Sequence, residues 1–162
     1  MHPLVIAKLL SLLVLANGTP VIARDILGRR FSGPLDRGVR FLDRQPLFGP
    51  SKTVRGILLS VAATSLCAPL LGLHWGIGFR VGSAAVAGDL FSSFLKRRFR
   101  LPSGARATGL DQLPESVLPL LACWEALSLT AVDIAVTAGI FFLGEIILSP
   151  LLFKVHLRDR PY

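Results

Sequence analysis

Long apolar stretches alternate with short, strongly basic segments along the 162 residues of the chain. A helix that crosses a bilayer needs roughly 20 mostly apolar residues. The third and fourth apolar stretches carry a weaker signal than the others, because the third contains Arg80 and Asp89 and the fourth contains Glu125. The pattern indicates an all-α, polytopic integral membrane protein that forms a single membrane domain. Its five predicted spans are residues 3–22, 54–73, 75–95, 114–130 and 133–153.

The first apolar stretch also has the length of a signal peptide. A signal peptide normally places its positive charge before the apolar region. Here Lys8, the only early charge, lies inside the apolar run, and no convincing small-residue cleavage site follows it. We therefore interpret residues 3–22 as a retained first helix.

The composition favours a membrane protein over other classes. Hydrophobic residues make up 52% of the chain and charged residues 17%, which leaves too few polar groups to cover a soluble domain of this size. The net charge is +8, but the basic residues separate apolar stretches instead of lining one face, so we expect no nucleic-acid partner. Cys67 and Cys123 lie in apolar stretches without a CxxC spacing, and we expect them to be buried thiols.

The positions of the basic residues predict how the chain is oriented. Of the 18 Lys and Arg residues, 16 lie in alternate connections and in the C-terminal tail. Basic residues concentrate in cytoplasmic loops. We therefore expect an outside N-terminus, two cytoplasmic loops and a cytoplasmic tail, an asymmetry that four or six spans would break. The 16 residues are Arg24, Arg29, Arg30, Arg37, Arg40, Arg44, Lys52, Arg55, Lys96, Arg97, Arg98, Arg100, Arg106, Lys154, Arg158 and Arg160.

A polar stripe is predicted near the cytoplasmic end of the third span. A carboxylate within a span is costly and usually pairs with a cation or holds a metal. The stripe is therefore suited to bind phosphate and Mg²⁺. Alternatively, its basic residues only anchor the helix end at the headgroups, and a neighbour such as Arg80 or Lys8 neutralises the acid. At helical spacing the stripe consists of Asp89, Ser92, Ser93, Lys96 and Arg97.

Five segments match motifs of a known family, in the same order. Together they resemble the phosphatidate cytidylyltransferases, and most closely their small relatives, the CDP-archaeol synthase family. The pattern Phe-Gly-x-x-Lys-Thr-x-Arg-Gly within the third segment is fairly specific. The resemblance extends from residue 17 to about residue 120. The segments are residues 17–20 (NGTP), 34–41 (PLDRGVRF), 46–56 (PLFGPSKTVRG), 88–97 (GDLFSSFLKR) and 110–113 (LDQL).

The resemblance implies a membrane-embedded enzyme that transfers CMP from CTP to a lipid phosphate and gives a CDP-lipid and pyrophosphate. In archaeal members the lipid is an unsaturated diether glycerol phosphate, and in the larger relatives it is phosphatidate. The chemistry of the acidic residues predicts Mg²⁺ as cofactor. The basic residues predict a multi-pass protein of the cell membrane whose site faces the cytoplasm.

The residues that match the motifs are assigned roles in this reaction. Asp89, Lys96 and Asp111 are the candidate catalytic residues, and Asp89 and Asp111 are also candidate Mg²⁺ ligands. Family members commonly carry a second Asp where this chain has Pro114, so Glu115 is the candidate for the further ligand. Substrate binding is expected of Asn17, Asp36, Lys52, Thr53, Arg55, Ser93 and Arg97.

Some of these residues also fit simpler roles. Taken alone, Lys52 and Arg55 fit snorkelling anchors before the second span, and Asp111 fits a helix N-cap. A non-enzymatic membrane scaffold or assembly protein would explain the spans, although not the charged residues that gather at one membrane face. An inactive family member, altered at Pro114, is the other alternative.

Several properties remain open at the level of the sequence. They are the lipid and its ether or ester linkage, the number of metal ions, and whether the protein forms a homodimer. Glu125 and Glu145 lie in predicted spans without an assigned role. For these two acids we hypothesise ion pairs with Lys8 or Arg80.

Overall fold

The computed structural model describes residues 2–28, 30, 32–103, 105 and 107–154, and side chains up to residue 147. Over these residues the chain is helical, with two isolated β-bridges. The predicted all-α class is thereby confirmed for the described part, whereas Arg29, Arg106, Arg158 and Arg160 lie outside it. The helices are α1 (Pro3–Leu27), α2 (Val54–Cys67), α3 (Trp75–Arg98), α4 (Gln112–Ala122) and α5 (Ala131–Lys154), and a short 3₁₀ helix (Pro69–Leu71) follows α2.

Local sequence signals determine where the helices begin and end. Thr53 precedes α2, and its Oγ1 accepts a hydrogen bond from the Gly56 N–H at 3.1 Å, as an N-cap does. Pro3 opens α1, where its missing N–H costs nothing. Gly28 follows α1 with a φ of 54°, a conformation that glycine adopts without strain.

The helices pack around α3, which contacts α1, α2 and α4. Gly78 allows the closest approach to α2, because a Cβ at that position would lie 2.2 Å from the Thr64 carbonyl oxygen. The apolar core takes residues from α1, α3, α4 and α5, and α1 supplies the largest share with Leu9, Leu12 and Leu13. Consecutive helices alternate in direction, so that α1, α3 and α5 begin at one end of the bundle.

A polar clasp closes the bundle at that end by joining α1 to α5. The His2 backbone N–H donates to Asp133 Oδ1 at 2.8 Å. Asp133 Oδ2 in turn accepts from the Thr130 hydroxyl at 2.7 Å, and the Asp133 N–H donates back to that hydroxyl. This reciprocal cap fixes the start of α5.

The lengths of the helices bear on the predicted spans. Among the described residues, α1 and the segment Val54–Leu71 are long and apolar enough to cross a membrane. Helix α4 is shorter than the predicted span 114–130, since its 11 residues rise only about 17 Å against a hydrocarbon core of about 30 Å. The chain then turns through residues 123–130 before α5 begins. The apolar residues of this stretch are thus divided between a short helix and a turn.

Candidate active site

A cavity of about 620 Å³ lies among the five helices, at the end of the bundle where α3 ends and α4 begins. All five helices and both long connections contribute to its wall. Of the eleven residues that the sequence predicts for the site, nine line this cavity. They are Asn17, Lys52, Thr53, Asp89, Ser93, Lys96, Arg97, Asp111 and Glu115.

An ion pair between Lys52 and Asp89 joins the first long connection to α3. Lys52 Nζ donates to both carboxylate oxygens of Asp89. Burial lowers the pKa of Lys52, but the charge and hydrogen bonds of Asp89 outweigh it and raise the pKa above its usual value. Lys52 is therefore a stable cation. The partner of Asp89 is thus a loop lysine, and not Arg80 or Lys8.

Glu115 brings a second carboxyl group to Asp89. The Asp89 and Glu115 carboxyl groups interact electrostatically, and Glu145 from α5 acts on Glu115 as well. The contact depends on Gly88, because a Cβ there would lie 2.3 Å from the Pro114 carbonyl oxygen and 2.7 Å from the Glu115 nitrogen. The Pro114 segment therefore packs directly on α3, and this packing presents Glu115 to Asp89.

A separate ion pair holds the start of α4. Lys96 Nζ lies 2.7 Å from Asp111 Oδ1, in an orientation that gives an ion pair without a regular hydrogen bond. Asp111 Oδ2 accepts from the Ala107 N–H at 3.0 Å, so the carboxylate closes the preceding turn. Asp111 occupies the N-cap position of α4, but its side chain caps no helical N–H. The simple capping interpretation is therefore wrong for the side chain.

Arg97 and Ser93 complete the polar wall beside these pairs. Both are buried and line the cavity. One terminal nitrogen of Arg97 donates to the Pro102 carbonyl at 2.9 Å, while its buried Nε has no hydrogen-bond partner among the described residues. A buried, unused guanidinium N–H next to a cavity is a ready donor for a phosphate oxygen.

The structure does not bring Asp36 or Arg55 into the cavity, in contrast to the prediction. The Arg55 guanidinium donates to the carbonyl groups of Gly28 and Arg30, so it fastens the chain after α1. Asp36 instead accepts three backbone N–H groups of its own loop: one oxygen takes Gly38, and the other takes Phe48 and Gly49 at 3.1 and 2.9 Å. Both side chains thus make structural bonds outside the cavity.

Arg98 is a positioning residue that sequence reasoning missed. Its guanidinium lies 4.8 Å from the centroid of the Phe41 ring and 4.7 Å from that of Phe94. It also donates to Asp43 Oδ1 and to the Pro46 carbonyl, both at 2.7 Å. Arg98 thereby clamps the loop segment before Lys52 onto α3. The only signal for it was the Lys-Arg-Arg run, which reads equally well as a membrane anchor.

Within the part of the chain that the structure describes, neither Glu145 nor Glu125 forms the hypothesised ion pair with Lys8 or Arg80. Glu145 lines the active-site cavity beside Glu115, and Glu125 lies at another cavity with Arg80 but forms no ion pair with it. Lys8 Nζ approaches Gly72 instead. An acid in an apolar stretch thus correctly indicated a polar environment. It did not indicate which residue would be its partner.

The carboxylates fit the chemistry of Mg²⁺ in part. Mg²⁺ usually takes one or two protein carboxylates and completes its shell with water and substrate phosphates. Asp89 and Glu115 offer such a pair from two rigid helices, and two adjacent carboxylates both ionise readily only beside a cation. Among the described residues, no group of three or more His, Cys, Asp or Glu side chains is arranged to hold an ion. The fit is therefore to a two-carboxylate site shared with a phosphate ligand.

The hydrogen bonds of Asp36 allow a prediction of how the connection between α1 and α2 responds to acid. The effect of burial, which raises the pKa of Asp36, is outweighed by its bonds from Gly49, Phe48 and Gly38, so the pKa lies below the usual 3.8. A lowered pKa stabilises the fold above the usual value, and this contribution is lost as the pH falls through the lowered pKa. We expect protection of the Phe48 and Gly49 amides in hydrogen exchange to stay constant from pH 7 to about 4 and to fall below that. At pH 7, Asp36→Asn is expected to speed their exchange about tenfold, and Asp25→Asn is not.

The contacts of Arg98 allow a prediction of how readily the Lys52 amine is acetylated. Without the clamp the loop moves away from α3, and Lys52 spends less time bound to Asp89. We expect Arg98→Ala to raise the rate of acetylation of Lys52 by acetic anhydride about three- to tenfold, measured by peptide mass spectrometry, with an intermediate value for Arg98→Lys. Arg40→Ala, which removes an exposed charge from the same loop, is the control. Equal labelling in all four proteins would refute the clamp.

Comparison with known proteins identifies relatives over nearly the whole chain. A family model described as CarS-like, CDP-archaeol synthase, matches residues 4–162. The CDP-archaeol synthase of Sulfurisphaera tokodaii is 30% identical over 155 residues, which cover 92% of this chain and 90% of that protein. The CDP-archaeol synthase of Pyrobaculum islandicum is 34% identical over 145 residues, 86% of this chain and 82% of that protein. That of Pyrobaculum calidifontis is 39% identical over 111 residues, 65% of this chain and 66% of that protein.

A solved structure has the same fold. It is that of an intramembrane enzyme for archaeal membrane lipids biosynthesis, and it superposes with a TM-score of 0.74 at 30% identity. The match covers 87% of this chain and 90% of that one. The resemblance that the motifs indicated is thereby confirmed.

Proposed function

Because the chain belongs to the CDP-archaeol synthase family, we propose that it transfers CMP from CTP to a diether glycerol phosphate. Membership of the family establishes the class of enzyme: the chain is a membrane-embedded, CTP-dependent nucleotidyltransferase of lipid biosynthesis. The proposal adds the substrate and the products, which are a CDP-lipid and pyrophosphate. Phosphatidate is the alternative acceptor that the test below must separate.

The observation that carries the proposal is the set of cations in the wall of one cavity. Lys52, Lys96 and Arg97 line it together, at helix ends that connect to basic loops. CTP and a lipid phosphate are both anionic and repel each other. A site that joins them must neutralise their charge and hold them in line, and preorganised cations do both.

The reaction itself needs little from a general base. A phosphate monoester has a second pKa of about 6, so the acceptor is largely a dianion at neutral pH. Its oxygen attacks the α-phosphorus of CTP, and a new P–O bond forms. The bond from that phosphorus to the β-phosphate bridging oxygen breaks, and pyrophosphate leaves with the electron pair. We assign Lys52 and Arg97 to the phosphate oxygens and Lys96 to the leaving pyrophosphate.

Mg²⁺ is part of the proposal. Asp89 and Glu115 would hold the ion, and Asp111 is the candidate ligand of a second one. When bound, Mg²⁺ neutralises triphosphate charge and polarises phosphate oxygens. Asn17, Thr53 and Ser93 line the same cavity and would donate or accept hydrogen bonds with the nucleotide.

We also propose the membrane topology. The chain would cross the cell membrane five times, with the N-terminus outside and the cavity open to the cytoplasm. The positions of the basic residues support this, since loop and helix-end cations surround the cavity. The short α4 would cross together with the turn 123–130. In this topology CTP arrives from the cytosol, and the lipid headgroup already lies at the level of the cavity.

The test is CMP transfer from radiolabelled CTP by purified protein in detergent with Mg²⁺. Unsaturated diether glycerol phosphate and diacylglycerol phosphate are offered separately, and the lipid product is resolved by chromatography. A CDP-lipid formed mainly from the diether supports the proposal, and one formed mainly from the diacyl lipid replaces the acceptor. If folded protein gives no product with either lipid, the proposed activity is wrong and an inactive or scaffold role takes its place.

A further inference from the structure

A second cavity lies at the other end of α3 and α4. It has a volume of about 250 Å³, equal to about eight water molecules. Asp89 of the active site lies nine residues further along α3 than Arg80, about 13 Å along the helix axis. The two cavities are therefore separate places on the molecule. The second is lined by Arg80, Leu121, Ala122, Trp124, Glu125 and Ala126.

Two opposite charges border this cavity, and neither is neutralised within the described part of the chain. Arg80 and Glu125 are both exposed, and the side chain of neither forms a hydrogen bond or an ion pair with any described residue, including each other. Both belong to apolar segments of a membrane protein. A ligand that offers both an anionic group and a hydrogen-bond donor would satisfy both side chains at once.

In the proposed topology, the second cavity lies at the level of the membrane interface. Arg80 lies five residues after Trp75, with which α3 begins. Side chains on a helix lean towards its N-terminus, and arginine extends its long stem to bring the guanidinium to the polar region. Trp75 and Trp124 are both exposed at this end, and tryptophan is enriched where headgroups meet hydrocarbon. In the proposed topology the Arg80 guanidinium would thus reach headgroup height.

We propose that this cavity binds the phosphate headgroup of a membrane lipid in the leaflet opposite the active site. Arg80 donates to the phosphate oxygens, for which its planar guanidinium is well suited. Glu125 accepts hydrogen bonds from hydroxyl or ammonium groups of the same headgroup. Trp124 packs against the glycerol region. A phospholipid headgroup is the class of ligand at this depth that offers both an anion and a donor. The proposal rests on the proposed membrane topology and not on the proposed reaction.

The experiment uses Trp124 as its own reporter. The chain has two tryptophans, so Trp75→Phe leaves Trp124 as the only one. The variant is reconstituted into vesicles of a phosphate-free glycosyl diacylglycerol, doped with phosphatidylglycerol that is brominated near the headgroup. Brominated glycosyl lipid at the same density is the reference quencher. We expect two- to fourfold stronger quenching by the phospholipid. Arg80→Gln is expected to abolish the preference, and Arg40→Gln, in the first loop, to retain it.

Each other outcome decides against the proposal or refines the ligand. Equal quenching by both lipids, unchanged by Arg80→Gln, would overturn it. If inorganic phosphate at millimolar concentration removes the preference, the cavity is a general phosphate site and not a lipid site. A direct ion pair is the remaining alternative. It would be established if the double swap Arg80→Glu with Glu125→Arg restored a thermal stability that both single variants had lost.

Discussion

The Asp89→Asn variant is expected to lose CMP transfer by roughly 100- to 1,000-fold relative to the wild type. Asparagine keeps the shape of the side chain but removes the charge that pairs with Lys52. It also removes one of the two adjacent carboxylates that suit Mg²⁺. The initial rate of CDP-lipid formation from radiolabelled CTP measures the effect, at saturating Mg²⁺ and lipid.

The control for this variant is Asp25→Asn. Asp25 is an exposed acid of α1 on the same side of the bundle, where it pairs with Arg24. We expect this variant to retain at least half of the wild-type rate, because a surface ion pair contributes little. Thermal unfolding in detergent separates loss of activity from loss of fold. A folded Asp89→Asn protein with more than a tenth of the wild-type rate would rule out a central role for this carboxylate.

Gly88→Ala is expected to have the largest effect on stability. The added Cβ meets backbone atoms of Pro114 and Glu115, which cannot rotate away as a side chain can. Helix α4 must then move from α3, and such overpacking costs roughly 2–3 kcal/mol. The thermal midpoint in detergent measures the loss. CMP transfer is expected to fall as well, since the shift carries Glu115 away from Asp89.

Gly139→Ala is the matched control for this substitution. Gly139 also lies within a long helix, but nothing lies within 4 Å of its Cβ position. Alanine there is expected to leave stability unchanged or to raise it by a few tenths of a kcal/mol, because alanine favours the helix. Equal midpoints for the two variants would show that the contact between α3 and α4 is loose. The role of Gly88 in placing Glu115 would then be wrong.

The helical part of the site was predictable because a helix has a fixed period. Spacing of 3.6 residues places Asp89, Ser93 and Lys96 on one face whatever the rest of the chain does. The structure turns that face into the wall of the cavity. The starts of α2 and α3 also coincide with the predicted spans, since an apolar run after a polar loop has a clear beginning.

The loop part of the site was not predictable in the same way. Asp36 and Arg55 belong to matching motifs, and motifs do not separate residues that bind a substrate from residues that hold a loop. The Gly- and Pro-rich connection has no period, so its path depends on bonds that form only in the folded chain. Arg98 illustrates this, because its partners Asp43 and Pro46 lie more than fifty residues away along the sequence.

The end of α4 shows a third limit. Hydropathy sums apolar residues over a window and does not register where a helix stops. Residues 114–130 are apolar enough on average, but α4 ends at Ala122 and Ser128 adopts a φ of 48° in the turn that follows. Glu125 lies in this turn, at the second cavity. The charge that weakened the prediction of a fourth span thus lies where the helix has already ended.

The ion pair of Lys52 with Asp89 has a consequence for nucleotide entry. If Lys52 binds the triphosphate and Asp89 binds Mg²⁺, as proposed, each side chain neutralises the other until those ligands arrive. An incoming triphosphate would then displace the carboxylate from the lysine, and its affinity would be its contact energy reduced by the cost of that exchange. A nucleotide with fewer phosphates makes the exchange less favourable. The enzyme would therefore bind CMP and CDP more weakly than CTP, because Asp89 competes with the nucleotide phosphates for Lys52. No separate residue that recognises the number of phosphates would be needed.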